Sequence, residues 1–298
     1  MRILVLGSAA GGGFPQWNCR CPVCSLAWQG DRRVKPRSQS SVAVSADGAR
    51  WLLLNASPDL RQQIIASPSL HPRGAMRQSP IAAVFLTNAD ADHIAGLLSL
   101  REQQPFLLFG SKAALAQARS GIFGVLNPGL VQARAVELDR PAHTGLGLTL
   151  TPFAVPGKVP LYLEGEEVEI GTENESTAGL AISDGKSQFF YVPGCAKIHD
   201  GLRKRLWGAK LLFFDGTTFT DDEMVRLGVS KKTAWRMGHV AMSGREGSLN
   251  ALASCGIGRK IYVHINNTNP VLIENSAERA VVAQAGWEVA YDGMEVCL

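Results

Sequence analysis

No stretch of the chain approaches the ~20 consecutive apolar residues of a membrane-spanning helix. The opening "MRILVLGS" is too short an apolar run for a secretory signal, and Gly7 ends it. These two absences lead us to expect a soluble, cytoplasmic protein. Dense Lys/Arg patches with interleaved aromatics are also missing. A net charge of +4 over 298 residues is too weak to argue for nucleic acid and suits a small anionic ligand. The densest basic stretch, "GLRKRLWGAK", has the spacing of an exposed helix face. No internal repeat or low-complexity linker divides the chain, so one domain over residues 1–298 is expected. The glycine-rich "GSAAGGGFPQWNC" does not fit G-x-G-x-x-G, and no helix pattern follows at once. It reads instead as a loop that lets other backbone approach closely.

Cysteine is sparse except at one place. Cys19, Cys21 and Cys24 cluster, while Cys195, Cys255 and Cys297 are scattered. That pattern excludes a small secreted disulfide scaffold, and three adjacent thiols suggest a metal.

A hydrophobic content of 46% against 19% charged residues leaves ample material for a core. "RILVLGS", "IAAVFLT", "FLLFGS", "SQFFYVPG", "KLLFFDG" and "KIYVHIN" read as buried strands, and "SSVAVSAD" with "ARWLLLNAS" as a hairpin about "DG". Residues Thr149 to Glu169 alternate and carry Gly and Pro, which predicts antiparallel hairpins. Helices are expected in "SPDLRQQIIAS", "DHIAGLLSLREQQ", "SKAALAQARS", and near "HDGLRKRLWG" and "SGREGSLNALASCG". The order suggests two packed sheets under outer helices, an α/β/β/α arrangement.

Four apolar runs end in chemically apt groups: "AVFLT" at Asn88–His93, "QFFYV" at Pro193–Cys195, "LLFFD" at Asp215 and "IYVH" at His264. Functional groups gather beyond the carboxyl ends of strands in α/β sheets, so one convergent site is expected. Taken alone, "TNADADHIAG" is equally an Asp-rich turn capping a helix.

In frame, that stretch resembles the T-H-x-H-x-D-H-x-x-G motif of metallo-β-lactamase-fold proteins. Thr87, Asp92, His93 and Gly96 match, while Asn88 and Asp90 stand where the two leading histidines belong. The resemblance implies a four-layer αββα sandwich of two mixed sheets. It also implies a metal held by Asp92, His93 and the late strand-end His264, with the other metal position crippled. Asp90 becomes an additional ligand or an acceptor orienting His93. The bridging aspartate that usually follows a strand like "FFYV" is replaced by Pro193–Cys195. Two histidines and one carboxylate with open positions form the ligand set of non-haem Fe(II) oxygenases. Hydrolytic relatives need two metals about 3.5–4 Å apart.

Cys19, Cys21 and Cys24 form C-x-C-x2-C, able to wrap one structural Zn(II). Phosphonate-pathway phosphodiesterases of the superfamily complete such a cluster with a histidine. Asn267 occupies that place here, so the candidates for the fourth ligand are Asn267, another side chain or water. His239 in "RMGHVAMSG" resembles the general-acid histidine of the tRNA-processing nucleases. Arg236, Lys231 and Lys232 lie near it and could attract carboxylates. His71, His143 and His199 read as loop residues.

Over essentially its whole length the chain resembles the pyrroloquinoline quinone (PQQ) biosynthesis branch of this superfamily. The resemblance rests on "MRILVLGSAAGGGFPQWNCRCPVC", "TNADADHIAGLLSLRE", "FFYVPG", "LLFFDGT", "MGHVAMSG" and "YVHINNTNP". It implies Fe2+-dependent hydroxylation of a tyrosine-derived ring in a cross-linked Glu–Tyr intermediate. His239 or Asp215 would move protons and Asp90 would tune the metal. The expected partner is a small precursor with several carboxylates, alongside other proteins of the pathway. The alternatives are a carrier of PQQ or its precursor for export, and a divergent metallo-hydrolase.

Overall fold

The computed structural model describes all residues, Met1–Leu298. Its strands are β1 (Arg2–Gly7), β2 (Ser41–Ser45), β3 (Trp51–Leu54), β4 (Ile81–Leu86), β5 (Phe106–Gly110), β6 (Val131–Ala135) and β7 (Ala142–His143), then β8 (Thr149–Ala154), β9 (Ala178–Ser183), β10 (Gln188–Val192), β11 (Leu211–Asp215), β12 (Arg259–Val263), β13 (Trp287–Val289) and β14 (Glu295–Cys297). The helices are α1 (Pro22–Trp28), α2 (Leu60–Ala66), α3 (Ala91–Ile94), α4 (Lys112–Gln117), α5 (Asp200–Leu206), α6 (Glu223–Arg226), α7 (Ala234–Met237), α8 (Ser248–Ala251) and α9 (Ala277–Gln284). None is long and apolar enough to cross a membrane.

Two sheets form, in the orders β14-β1-β2-β3-β4-β5-β6 and β13-β12-β11-β10-β9-β8-β7. Each is mixed. β3 to β6 run parallel in the first, as do β10 to β13 in the second, with antiparallel strands beyond. Alternation along the strands explains the stacking. Ile3 and Val5 join Leu211, Phe213 and Ile261 in one cluster between the sheets. Leu4 and Leu6 point outward to Leu60 and Leu115 of α2 and α4. Leu212 and Phe214 point the other way, to Val23, Leu202 and Val282 of α1, α5 and α9. The result is the expected helix–sheet–sheet–helix sandwich.

The predicted helix "DHIAGLLSLREQQ" is corrected. Only α3 is α-helical, and Ala95–Leu100 continues as a 3-10 helix. The cause is competition for backbone groups. The His93 carbonyl accepts from Ala56 N, and Gly96 N donates to the Ala56 carbonyl, so α-helical pairing is diverted to the neighbouring loop. Gly96 permits this approach: a Cβ there would lie 2.1 Å from the Ser57 carbonyl oxygen. The hairpins predicted over Thr149 to Glu169 are corrected too. β8 pairs with β7 and β9, but the chain leaves the sheet after Ala154 and makes only a 3-10 turn at Leu161–Leu163. Pro156 and Pro160 have no N–H to offer a ladder.

The glycine-rich segment works as a seam. A Cβ on Gly7 would lie 2.0 Å from the Gln39 carbonyl oxygen. Just beyond, Ala10 N donates to Ile265 O and Ile265 N to Ser8 O, tying the exit of β1 to the exit of β12.

Candidate metal centre

The parallel halves of both sheets end at one place. β4 delivers Asn88 to His93, β10 delivers Gly194, β11 leads to Asp215 and Thr217, and β12 to His264. A cavity of ≈ 320 Å3 lies between them, lined by Asp90, Asp92, His93, His239 and His264 among others. A larger one, ≈ 420 Å3, beside Arg203 and Trp235 contains none of these groups.

Ligand atoms of Asp92, His93 and His264 converge within 4.8 Å of one another. Asp92 Oδ2 lies 3.1 Å from His264 Nε2 and 3.9 Å from His93 Nε2. His93 Nδ1–H donates to Asn88 Oδ1 at 2.6 Å, which leaves its Nε2 with a lone pair. That Nε2 is buried and has no hydrogen-bond partner. A buried, unpaired imidazole nitrogen is costly on its own and is accounted for by a metal ion. Burial lowers His93 to a pKa of about 4, against the opposing charge of Asp92, so it is neutral as a ligand must be. Burial alone would raise the Asp92 carboxyl, but the hydrogen bond and charge of His264 help to hold it below the usual carboxylate range. The donor set therefore fits a divalent metal.

His264 is turned into the site by left-handed backbone, φ +56. Its Nδ1–H donates to Thr217 Oγ1 at 3.0 Å, and Thr217 in turn donates to Asp215 Oδ1 at 2.6 Å. Asp215 also accepts from Thr217 N, Cys195 N and His239 Nδ1, the last at 2.7 Å. Asp215 is wholly buried and saturated with donors, so it stands behind His239 rather than on the cavity wall. His239 is left with its Nε2 lone pair on the cavity side and stacks on His264 at 5.1 Å between centroids.

Orientation of His93 falls to Asn88 rather than to Asp90. Asp90 reaches His93 only through Asn88, whose Nδ2 donates to Asp90 Oδ2 at 2.8 Å. Burial, then the charge of Asp92, pushes the Asp90 carboxyl up. Gly194 faces the cavity, so no carboxylate arrives from the β10 exit. Cys195 is wholly buried with its thiol on the Lys197 carbonyl, away from the cavity. Two further contributors carry no ligand or acid–base motif in the sequence. Thr217 joins three site residues through one hydroxyl, and Lys158 enters the wall from an irregular segment. The remaining histidines make local contacts: His71 with Ile65 O, His143 with Thr149, and His199 with Glu173.

The thiols of Cys19, Cys21 and Cys24 also lie within 4.8 Å of one another. Asn267 Nδ2 reaches Cys19 and Cys24 at 3.2 Å each and Cys21 at 3.9 Å. Cys24 is drawn down to about 6, chiefly because the Cys21 thiol donates to it, with Asn267 adding to the effect. The shift favours the thiolate, the form that ligates a metal.

This fold and this geometry define a metal-binding protein of the β-lactamase superfamily, and residues 50–265 match the family described as "Beta-lactamase superfamily domain". The chain is 57% identical over 299 residues to coenzyme PQQ synthesis protein B of Methylobacterium nodulans, and 53% identical over 300 to that of Xanthomonas oryzae pv. oryzae, covering 100% of each pair. The crystal structure of Zn(2+)-bound PqqB from Methylobacterium extorquens superposes with a TM-score of 0.98 at 55% identity, covering 100% of both chains. A diphosphatase of the PhnP family, at TM-score 0.70 and 21% identity over 100% of this chain and 97% of that one, shares the fold. The chain belongs to the coenzyme PQQ synthesis protein B family.

Proposed function

We propose that the chain catalyses an Fe(II)-dependent hydroxylation in PQQ synthesis, on the tyrosine-derived ring of a cross-linked Glu–Tyr intermediate. Family membership and the clustered ligands support a role in PQQ biosynthesis and a metal-dependent site. The choice of iron and of oxygen chemistry rests on one observation. Of the two sets of two histidines and one carboxylate that converge, Asp92–His93–His264 is free to hold a metal, because in the other Asp215 is saturated by Thr217, Cys195 and His239, while Asn88 and Asp90 are bonded to each other.

Asp92, His93 and His264 would hold the ion. Bound iron would supply activation of dioxygen in a site with open positions. The chain's own residues do the rest. Asn88 fixes the ring of His93, and Thr217 fixes that of His264. Asp215 keeps the proton of His239 on Nδ1, so Nε2 is the atom that takes a proton from the substrate hydroxyl or ring. Asp90, with its raised pKa, is suited to hold a proton beside the ion. At the second site, Cys19, Cys21 and Cys24 would bind a structural zinc. Asn267 would complete it through its amide oxygen, since an N–H that donates cannot ligate.

The test is oxygen consumption coupled to ring hydroxylation with Fe(II), set against Zn(II) as the inactive metal. Absence of turnover with iron, substrate and reductant would sink the reading. A second reading, a zinc-dependent hydrolase, draws support from the zinc-bound relative. Hydrolysis of an amide or diester by the zinc form would establish it instead.

A further inference from the structure

We propose that Lys158 and Lys232 form a carboxylate-binding subsite at the rim of the metal cavity, held in position by Glu164. The inference rests on the preceding reading only in taking the ligand to be multiply carboxylated.

The cavity has two electrical ends. Asp90 and Asp92 make the floor acidic, while Lys158 and Lys232 line the wall. Behind that wall sits Glu164, 9% exposed at its side chain. It accepts from Lys158 Nζ at 2.8 Å and from Arg236 Nη2 at 3.1 Å, with Lys232 Nζ at 3.9 Å. One carboxylate faces three cations, so the rim keeps a surplus of positive charge.

The ammonium of Lys158 is only partly committed. It has three protons, of which Glu164 takes one and the Val159 carbonyl another, at 3.1 Å. The third has no acceptor in the protein, and Lys158 lines the cavity. Solvent does not explain this residue, because its side chain is 13% exposed. A lysine so enclosed needs partners. Lys232, at 37%, is tied to the cluster only by its long contact with Glu164 and is free to reach inward. Glu164 and Arg236 do not line the cavity and act as positioning residues.

The segment bearing Lys158 and Glu164 is registered on the metal motif. Its base is closed by Gly157 and Gly171–Thr172 through two backbone hydrogen bonds. Its Tyr162 hydroxyl donates to the Ala89 carbonyl, between Asn88 and Asp90, at 2.9 Å. The Lys158 ammonium is therefore set relative to the metal ligands, as a carboxylate anchor must be to aim the rest of a substrate at the metal, while Lys232 lines the same cavity from a separate segment.

The experiment uses the full-length, Zn(II)-loaded protein, so that no oxygen chemistry intervenes, and coenzyme PQQ as a chromophoric, carboxylated probe. Wild type is expected to bind it, and added salt to weaken that binding. Lys158→Ala and Lys232→Ala should each weaken it about ten- to a hundredfold, the worth of one charge-assisted hydrogen bond, and Lys232→Arg should restore most of the loss. Lys158 is enclosed enough that its variant requires a melting control; Lys232 is not, and keeps the test decisive. Unchanged affinity in Lys232→Ala, or no binding by wild type, would overturn the subsite. Hydroxylation at an unchanged KM in Lys232→Ala would overturn it while leaving the hydroxylase reading intact. Affinity losses as predicted, with no hydroxylation under iron, would uphold the subsite and remove that reading.

Discussion

Replacing Asn88 by alanine removes the acceptor that fixes the ring of His93. In the intact site His93 Nδ1–H is held by Asn88 Oδ1 at 2.6 Å, and the next acceptor, Thr87 Oγ1, stands at 3.4 Å, beyond effective range. The substitution also strips Asp90 Oδ2 of the Asn88 Nδ2 donor and leaves Asp90 N without its acceptor. Partners behind a metal-ligating histidine are worth about 10–100-fold in metal affinity, or about 1.4–2.8 kcal/mol. The expected loss lies in that range. The assay is a Co(II) titration read in the visible, where imidazole–carboxylate and thiolate sites absorb differently, with His93→Ala as the floor. Asn88→Asp is the control. It keeps an acceptor for His93, and the like charge on Asp90 obliges the pair to retain one proton, which replaces the amide donor. Its affinity should return near that of wild type. If Asn88→Ala binds cobalt as wild type does while His93→Ala does not, the hydrogen bond does not set the ligand, and our account of why asparagine stands there is wrong.

Three further outcomes are expected. Cys21→Ser should lose one tightly held zinc per chain by elemental analysis and lower the melting temperature. Metal affinity at the histidine site should fall on acidification: burial discourages charge on His264, but Asp92 raises its pKa above 6.5, and the proton occupies the Nε2 lone pair that the metal needs. The decline should therefore begin above the usual imidazole range, with protons released on binding at low pH, both measurable by calorimetry in two buffers. Gly96→Ala puts a Cβ 2.1 Å from the Ser57 carbonyl oxygen, and about 1–3 kcal/mol of stability should be lost in urea unfolding.

Much of this architecture is legible in the sequence because strands buried on both faces announce themselves as apolar runs, and their polar exits point to a common site. The clustering of the three thiols is visible in the sequence, while Asp92, His93 and His264 stand out as candidate ligands only once the stretch is set in the frame of the motif it resembles. Supporting roles were not legible. Asn88 reads as a missing ligand until the fold brings its amide onto His93. Asp215 reads as a cavity acid until Cys195, Thr217 and His239 close around it. Thr217 meets His239 and His264 across 22 and 47 residues, a proximity no local pattern encodes. The α-helix around Asp92 is shorter than its periodicity predicts because its own backbone groups pair with Ala56, a competitor invisible to periodicity.

The short stretch from His264 to Asn267 serves both clusters: one end reaches Asp92 and the other lies against three sulfurs. Between them Ile265 is stitched to Ser8 and Ala10. A single run of backbone therefore sets both the left-handed turn that aims His264 and the place of Asn267 against the sulfurs.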